Sequence, residues 1–418
     1  MKVLSLFDGM ACGMIAMQLA GVDVESYDAY EIDKYAIKTA QHNFPMIKEH
    51  GDVFGADFAQ YEGVDFLIGG SPCTYWSIAQ TKNRETVASG MGWELFSQYV
   101  RALHEAKPKY FIYENNKSMS KQIRASIDDA FGFEAVCINS ALVSAQNRQR
   151  LYWVGKRNAD GTYSRVNAEQ PADRCILLKD VLDGAVAVRE KAHAVIASAG
   201  RTTEREFFTK NQGNMAAESV AFSMVGDFGN RKVSVSDKAY CLAANPSSDM
   251  SARVAEPINV TADGKSQTLK AQYCKNAEVL NVNPCGHGMN GAVIHCDGKC
   301  RTLTTNKGEG PKIIEPVCLH IEFDDDDKPI KAVWKDGKEI TIYEVKDGKI
   351  TIKGKQYPIK LKDGYYIIRK LTVRECMRLQ TVPEWYEFPV SDSQAYKMLG
   401  NGWTCEVIAH ILKYLKEA

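Results

Sequence analysis

Short apolar runs alternate with amphipathic stretches along the first 157 residues. The apolar runs predict buried strands at residues 2–7, 23–30, 64–68, 109–113, 133–142 and 151–155. Helical periodicity lies between them, at residues 14–20, 34–44, 94–106 and 121–131. Strands that alternate with helices are typical of βαβ units. We therefore expect an α/β domain with a mostly parallel, twisted sheet and helices on both faces.

Helical periodicity fades after Lys156 and returns only near residue 372. Short segments between Gly, Asn, Asp and Ser predict a mostly β second domain, and a regular alternation at about residues 318–368 predicts a β-rich insertion. Thr372 and Glu375 form a capping box before a helix at residues 373–379, and a second helix is predicted at residues 406–415. The predicted domains are thus residues 1–157, residues 158–368 and a C-terminal segment at residues 369–418.

Composition narrows the class of protein. The chain has 418 residues, enough for two domains, and its 52 basic residues balance 52 acidic ones. The net charge is zero and so gives no indication that the protein binds a nucleic acid. A local basic cleft would nevertheless be enough to bind one. Its 12 cysteines follow no disulfide framework, which predicts reduced thiols in a cytoplasmic protein. We see no signal peptide, and no apolar run approaches the length of a membrane span.

One cysteine stands in a position suited to chemistry. A Gly-Ser-Pro-Cys segment at residues 70–73 follows the strand predicted at residues 64–68. The carboxyl end of a parallel strand is where open α/β sheets bind ligands, and a thiol there can act as a nucleophile. The alternative is a structural cysteine in a turn. Glu114 ends a later strand and would lie beside Cys73 if the two strands are neighbours; alternatively it is a surface acid or a helix cap.

The amino-terminal turn predicts a nucleotide site. Glycines between the first strand and the first helix let a ligand approach the backbone, and helix N-termini offer free N–H groups. Glu31 lies about 20 residues further on, where such folds bind a ribose hydroxyl. It could instead cap the helix at residues 34–44, but we assign the cap to Asp33. Asp52 follows a third strand and is suitably placed for an adenine amino group.

Two further segments carry candidate groups. Arg148 and Arg150 are two residues apart on an extended segment, so we expect both to point to one side, toward phosphate or a base edge. The alternative is a solvated pair on an edge strand.

The glycine-containing loop from Thr74 to Gly92 is long enough to be a lid. The spacing of Cys285, His287, His295, Cys296 and Cys300 does not fit paired zinc knuckles, and we predict no metal site.

The order of these segments resembles that of the DNA cytosine-5 methyltransferase family, of bacterial or phage type. The matching segments lie at residues 7–13, Glu31, residues 52–53, residues 70–73, residues 92–96, residues 114–115, the Gln-x-Arg-x-Arg element at residues 146–150, residues 369–380 and residues 400–401. They cover the first ~156 residues and the last ~50. The resemblance implies a Rossmann-like domain that binds S-adenosyl-L-methionine (AdoMet) and is completed by residues 369–418. Residues 158–368 occupy the position of the family's target-recognition domain.

The resemblance also implies a mechanism and a set of site residues. Cys73 would add to C6 of a cytosine flipped out of duplex DNA, Glu114 would bind N3 and the exocyclic amine, and Arg150 would hold O2. Arg148 would position the loop or the backbone. The implied cofactor contacts are Phe7, Asp8, Gly9, Gly13, Glu31, Ile32, Asp52, Val53, Pro72 and Asn401. Within the lid, Ser77, Lys82 and Arg84 would contact DNA.

Some residues depart from the family pattern, and some alternatives stay open. Cys12 stands at a usual glycine, Asn116 at a usual valine, and Gly402-Trp403 at a usual small-aliphatic pair. The rival functions are a tRNA cytosine-5 methyltransferase, a catalytically silent DNA-binding homologue, and transfer of a group other than methyl to C5. We expect a monomer that acts on double-stranded DNA and not at a membrane. The sequence leaves open the recognised DNA sequence and whether a partner restriction endonuclease exists.

Overall fold

A computed structural model describes residues 1–77, 84–211, 213–219 and 339–417, together with eight strands between residues 221 and 333. The chain divides into two compact units. The first unit comprises Met1–Asp183, Arg189–Met215 and Lys370–Ala418, and the second comprises Gly184–Val188 and Ala216–Arg369. The first unit therefore extends past the boundary predicted at residue 157. The backbone N–H of Arg174 donates to Leu142 O at 2.8 Å, and its guanidinium pairs with Glu406 at 3.0 Å, so this segment packs on the first unit.

The helices and strands are numbered in chain order. The strands are β1 (Lys2–Leu6), β2 (Ser26–Tyr30), β3 (Lys48–Glu49), β4 (Phe66–Gly69), β5 (Tyr110–Asn116), β6 (Val136–Asn139), β7 (Gln146–Asn147), β8 (Gln149–Arg157), β9 (Tyr163–Arg165), β10 (Val186–Ala187), β11 (Ala192–His193), β12 (Met215–Ser219), β13 (Ala221–Val225), β14 (Lys232–Ser236), β15 (Gln272–Cys274), β16 (Ala277–Asn281), β17 (Ala292–His295), β18 (Lys312–Ile314), β19 (His320–Phe323), β20 (Pro329–Val333), β21 (Glu339–Thr341), β22 (Tyr343–Lys346), β23 (Lys349–Ile352), β24 (Lys355–Pro358) and β25 (Gly364–Lys370). The helices are α1 (Cys12–Leu19), α2 (Lys34–Asn43), α3 (Met91–Ala106), α4 (Lys121–Phe131), α5 (Glu204–Lys210), α6 (Val373–Leu379), α7 (Asp392–Asn401) and α8 (Cys405–Glu417).

The main sheet of the first unit has eight strands in the order β3-β2-β1-β4-β5-β8-β6, with β9 beside β8. Strands β3, β2, β1, β4 and β5 are parallel, and β8 runs antiparallel to β5 and to β6. The predicted mostly parallel α/β sheet is confirmed. Strand order reverses between β1 and β4, and such a switch point is where open α/β sheets bind their ligands, outside the carboxyl ends of the strands.

Buried aromatic side chains hold β4 and β5 in place. Tyr99 of α3 is fully buried, and its hydroxyl donates to Leu67 O at 3.2 Å and to Ile112 O at 2.9 Å. Its ring packs 4.8 Å from that of Tyr113, centroid to centroid, and Tyr113 in turn packs 5.6 Å from Trp153. Aromatic pairs at these separations contribute beyond their buried area. The strand ends that carry the candidate residues therefore rest on a rigid core.

The sequence predicts some helices well and misses others. Helix α4 has its predicted bounds, and α6 begins after the predicted Thr372–Glu375 capping box, with both reciprocal hydrogen bonds present. Helix α3 begins at Met91, three residues before the predicted start at residue 94. Helix α7 was not predicted: residues 400 and 401, expected in a turn, are its last two residues. Polar residues at four of its first six positions hide the helical periodicity there.

The C-terminal segment completes the first unit. Helix α8 packs against α1. The hydroxyl of Tyr386 donates to Met10 O at 2.6 Å, and Ser140 Oγ donates to Thr404 Oγ1 at 2.8 Å. Residues more than two hundred positions apart thus share one core. The described part of the chain contains no helix with the length and hydropathy needed to cross a membrane.

The described segments of the second unit are mainly strands. One sheet has the order β10-β12-β25-β22-β23-β24, β13 pairs with β14, and two further sheets contain β15-β16-β17-β18 and β19-β20-β21. An Asp-Gly turn joins β22 and β23, where Asp347 and Gly348 have φ values of 51° and 66°. Two positive φ values are typical of the tight hairpin turn that Asp-Gly favours. Apart from His295, whose backbone lies in β17, the cysteines and histidines considered for zinc fall outside the described residues.

Candidate active site

Four candidate segments follow or end neighbouring parallel strands. Gly9 follows β1, Glu31 follows β2, Cys73 follows β4 and Glu114 lies in β5. Since β2, β1, β4 and β5 are adjacent and parallel, these segments meet at one edge of the sheet. The structure thus brings together the predicted nucleotide turn and the predicted nucleophile.

Cys73 begins a short 3-10 turn, Cys73–Tyr75, and its side chain is partly exposed. The chain before it is fixed to β5: Ser71 Oγ lies 2.6 Å from Tyr113 Oη, and Asn115 Nδ2 donates to Ser71 O at 3.1 Å. Asn116 Nδ2 donates to Cys73 O at 3.4 Å. Hydrogen bonds thus hold the backbone while the thiol stays accessible, as a nucleophile requires.

Both carboxylate oxygens of Glu114 are bound. Nε of Arg150 lies 3.0 Å from Oε1, and the indole Nε1 of Trp403 donates to Oε2 at 3.0 Å. Burial raises the pKa of Glu114, while Arg150, Arg148 and the Trp403 hydrogen bond act in the opposite direction. Trp403 was noted in the sequence only as a departure from the family pattern, and nothing in its local sequence indicates this contact.

The two arginines have different environments. Arg148 is buried, and its guanidinium donates to Val195 O at 2.7 Å, Gly400 O at 3.1 Å and Gly402 O at 2.8 Å. Burial lowers the pKa of Arg148 to about 10. Arg150 instead pairs with Glu114 and keeps 17% of its side chain exposed. Arg150 therefore faces the site, and Arg148 holds the backbone before and after Asn401.

Glu31 organises the nucleotide side of the edge. Its Oε2 accepts from Gly9 N at 2.8 Å, and its Oε1 accepts from Ile32 N and Asp33 N at 2.8 Å each. Asp33 accepts from Tyr35 N at 2.9 Å, which confirms it as the cap of α2. Gly9 has a φ of 62°, and a Cβ built on it meets no described atom within 4 Å. A ligand can therefore approach the backbone at Gly9.

Two acids on this side lack partners for some of their oxygens. Asp8 Oδ1 accepts from Ser5 Oγ and Tyr27 Oη at 2.6 Å each, but its buried Oδ2 has no hydrogen-bond partner among the described residues. Both oxygens of Glu49 are also buried and unpaired within that part of the chain. Burial raises the pKa of Asp8 to about 6. Burial, then Asp8 and Glu31, raise the pKa of Glu49 to about 8. Glu49 was not predicted as a site residue.

Two of the predicted cofactor residues have packing roles. Gly13 lies inside α1, where a Cβ would come within 2.3 Å of Ile68 Cδ1 and 2.7 Å of Tyr27 Oη. Val53 is 4% exposed and belongs to the core cluster that includes Phe58. The close packing of α1 therefore explains the glycine at position 13. From the sequence alone, a glycine required by packing cannot be distinguished from one required by the approach of a ligand.

The remaining predicted cofactor residues are open to solvent to different degrees. Ile32 is 76% exposed, and Pro72 and Asn401 are also exposed. Asp52 is exposed and accepts from Phe54 N at 3.0 Å, so it caps a short turn. Phe7 is half-buried with a φ of 58°, a conformation that non-glycine residues rarely adopt. Such strain is typical of functional turns.

The part of the predicted lid that the structure describes is anchored. Trp76 is fully buried, and its Nε1 donates to Glu85 Oε2 at 3.0 Å, while Gly92 N donates to Glu85 Oε1 at 3.1 Å. Arg84, which we expected to meet phosphates, donates to Trp76 O at 3.2 Å and Ser118 O at 2.7 Å. Ser77 N donates to Cys73 O at 2.9 Å. Lys82 lies outside the described residues.

The chain is similar to known proteins along almost its whole length. Residues 1–417 match the family model described as C-5 cytosine-specific DNA methylase. The orphan methyltransferase M.SPRI of Bacillus phage SPR is 28% identical over 463 residues, covering 99% of this chain and 97% of the relative. The orphan methyltransferase M.Rho11sI of Bacillus phage rho11s is 27% identical over 534 residues, with the same two shares. The crystal structure of the S. pombe Dnmt2 methyltransferase is 13% identical with a TM-score of 0.44, covering 100% of this chain and 98% of that one.

Proposed function

Because the chain belongs to the family of C-5 cytosine-specific DNA methylases, which use AdoMet to methylate C5 of cytosine in DNA, we propose that Cys73, Glu114 and Arg150 carry out that reaction. One observation carries the assignment. Strands β4 and β5 pair in parallel, so the chain that leaves β4 toward Cys73 runs beside Glu114. A Cβ on Gly70 would lie 3.0 Å from Glu114 Oε2.

C5 of cytosine by itself reacts poorly with a methyl sulfonium. The enzyme must therefore supply a nucleophilic side chain that adds to the ring and activates C5. Cys73 adds as thiolate to C6, which breaks the aromaticity of the ring and gives C5 enamine character. Glu114 gives a proton to N3 and accepts from the exocyclic amine as charge develops on the ring, and it takes the proton back when Cys73 leaves. Arg150 holds O2. AdoMet, when bound, supplies the methyl group. Loss of the C5 proton to water then lets the C6–S bond break and releases Cys73.

The residues of the nucleotide side fit AdoMet. Glu31 keeps one acceptor position on Oε2 for a ribose hydroxyl, and Asp52 offers a carboxylate oxygen to the adenine amino group. Gly9 leaves room for the ligand at the backbone, and Asp8 has an unpaired oxygen nearby. These groups would bind and orient the cofactor, and Asn401, at the end of α7, would border it. A cationic cofactor suits an edge that carries several acidic side chains.

The target base must leave the duplex before Cys73 can reach it. We assign the segment after Cys73 as the lid that closes over the flipped cytosine, with Ser77, Lys82 and Arg84 toward the DNA backbone. Arg84 donates to two carbonyls, and because a guanidinium has five N–H donors, a phosphate contact does not require that either hydrogen bond is lost.

The second unit is proposed to recognise the target sequence. It is inserted between the Gln-x-Arg-x-Arg element and α6, and its described segments are strands. Strands can enter the major groove, where each base pair shows a distinct pattern of donors and acceptors. Exchanging residues 216–369 for the equivalent segment of a relative with another target should transfer the specificity. Unchanged specificity would contradict this role.

Two relatives that align along almost the whole chain are named orphan methyltransferases. We therefore propose that this enzyme acts without a cognate restriction endonuclease. A separate proposal, taken from the sequence alone, is that it is a cytoplasmic monomer with duplex DNA as its substrate. A restriction-modification pairing would instead show as a nuclease that cuts the same motif when it is unmethylated.

The first test is methylation of a plasmid library in cells that express the protein, read by base-resolution sequencing for 5-methylcytosine. Methylation at one short motif is expected, and a Cys73→Ser variant at the same expression level should leave no mark. An unmarked plasmid, with a protein that still binds AdoMet, would contradict DNA as the substrate. Methyl transfer to purified tRNA and mass spectrometry of the modified base would then separate the RNA reaction from transfer of another group.

A further inference from the structure

We propose that Trp403 is a positioning residue for Glu114: its indole N–H fixes the orientation in which the carboxylate meets the target cytosine. The inference rests on the proposed role of Glu114 and adds to it a residue outside the Cys73, Glu114 and Arg150 set. It is carried by the 3.0 Å hydrogen bond from Trp403 Nε1 to Glu114 Oε2.

Trp403 and Arg150 hold opposite oxygens of one carboxylate. Arg150 lies 3.0 Å from Oε1, and Trp403 lies 3.0 Å from Oε2. Two donors at the two ends prevent rotation of the carboxylate about its terminal bond. A carboxylate oxygen has two acceptor positions, so each oxygen keeps one for the N3 proton or the exocyclic amine of the base. The indole, which has no acceptor, can only donate here.

Gly70 provides the space for this contact. A Cβ on Gly70 would lie 2.8 Å from Glu114 O, 3.0 Å from Glu114 Oε2 and 3.4 Å from Trp403 Nε1. A side chain at position 70 would therefore push directly against the hydrogen bond. The absence of one, three residues before the nucleophile, lets the indole reach the carboxylate.

The backbone beside Trp403 is itself held from several directions. Arg148 donates to Gly402 O at 2.8 Å, and Gln380 Nε2 donates to the same oxygen at 3.3 Å. On the other side, Thr404 Oγ1 donates to Gln380 Oε1 at 2.9 Å. Arg148 therefore connects to Glu114 through the segment that carries Trp403. This connection gives Arg148 a function in the site without contact to a substrate.

The hydrogen bond also has an electrostatic effect. Burial raises the pKa of Glu114, and donation from Trp403 favours the ionised form and opposes that rise. Loss of the indole N–H should therefore leave less carboxylate at a given pH. A residue that only fills space would not change the ionisation of Glu114 in this way.

The test compares Trp403→Phe, which keeps an aromatic ring but removes the donor, with Trp385→Phe as the matched control. Trp385 is 51% exposed and packs on Phe44 with ring centroids 5.7 Å apart. For Trp403→Phe we expect kcat to fall about tenfold, as for loss of one hydrogen bond to a charged group. The limb of its kcat profile that reports the ionisation of Glu114 should move to higher pH, with the Kd for AdoMet within about twofold of the wild type. Trp385→Phe should match the wild type in all three.

Glu114→Gln and the double variant Glu114→Gln with Trp403→Phe complete a thermodynamic cycle. If Trp403 acts through Glu114, adding Trp403→Phe to Glu114→Gln should cost little further rate. Additive losses would overturn the proposal, as would an unchanged pH profile, or a weaker AdoMet Kd with full kcat at saturating AdoMet. A Glu114→Gln variant with wild-type rate would instead contradict the proposed function. If Trp403→Phe fails to fold, 3-benzothienylalanine at position 403 removes the N–H with almost unchanged shape and is subject to the same criteria.

Discussion

Nε of Arg150 lies 3.0 Å from Oε1 of Glu114, across the antiparallel pair β5 and β8. Backbone pairing sets this contact, because Arg150 stands opposite Asn116 and Glu114 opposite Tyr152. Arg150 is thus the diagonal neighbour of Glu114, within reach of a long side chain. A salt bridge that depends on sheet register is preorganised, and it costs no rearrangement when the base arrives.

Glu114→Gln keeps the shape of the side chain but removes its charge. We expect kcat to fall by about 10²–10⁴, the range for a positioned acid–base group. Single-turnover methylation of a duplex that contains the target sequence measures the effect. Glu134→Gln is the matched control, since 76% of its side chain is exposed. A loss smaller than about tenfold would contradict the role of Glu114.

Cys73→Ser should abolish turnover and leave DNA binding almost unchanged, because a serine hydroxyl is a far weaker nucleophile than a thiolate. The direct measurement is covalent capture of duplex DNA with 5-fluorocytosine at the target position, resolved on a denaturing gel. The wild type should form the adduct and Cys73→Ser should not. Cys175→Ser, at an exposed cysteine, should trap DNA like the wild type. An adduct with the Cys73→Ser variant would show that another residue is the nucleophile.

Arg148→Ala should destabilise the protein more than Arg150→Ala does. Arg148 is buried and satisfies three backbone carbonyls, two of which border Asn401. Its removal leaves these oxygens without their charged donor and should cost at least ~2 kcal/mol of unfolding free energy. Because Arg150 is partly exposed, Arg150→Ala should lower the unfolding free energy less, although it reduces the rate of methyl transfer. Urea denaturation of both variants measures the difference, and equal stabilities would contradict the structural role of Arg148.

Glu49→Gln should change how stability depends on pH. Glu49 has a native pKa of about 8, above its ordinary value of 4.5. Between these values the native state keeps a proton that the unfolded chain releases, so stability falls as the pH rises from 4.5 to about 8. Glutamine removes this dependence. Relative to the wild type, the variant should therefore gain unfolding free energy between about pH 5 and pH 9.

Urea denaturation at three pH values measures this gain, with Glu134→Gln as the exposed control. Parallel curves for wild type and Glu49→Gln would show that the native pKa of Glu49 is not raised.

The sequence was sufficient to predict those site residues that lie at the ends of consecutive parallel strands. The position of Cys73 after β4 and of Glu114 in β5 could be predicted because each strand is a short apolar run with a polar end. Pairing of the two strands then follows from their closeness in the chain. The cap at Asp33 was predicted for a similar reason, since a cap depends on the next few residues alone.

The sequence was insufficient where a contact joins distant segments. Trp403 and Glu114 are 289 positions apart, so no local pattern connects them. Arg148 and Arg150 are two residues apart, a spacing that predicts side chains on one face of a strand. Carbonyls of the C-terminal segment nevertheless accept hydrogen bonds from Arg148 and not from Arg150 among the described contacts. In the sequence, Gly13 matches the glycine of a ligand-binding turn. In the structure, a glycine is required there because Ile68 and Tyr27 leave no space for a Cβ. These outcomes depend on tertiary neighbours, which periodicity does not specify.

The hydrogen bond from Tyr386 to Met10 has a consequence for the newly made protein. Its two residues are 376 positions apart, and at about 5–20 residues per second a ribosome needs roughly 20–75 s to pass from one to the other. During this time α1 has no α8 to pack against, and Glu114 has no Trp403. A nascent chain therefore exposes the apolar face of α1 until translation has passed α8, and such a surface suits a chaperone.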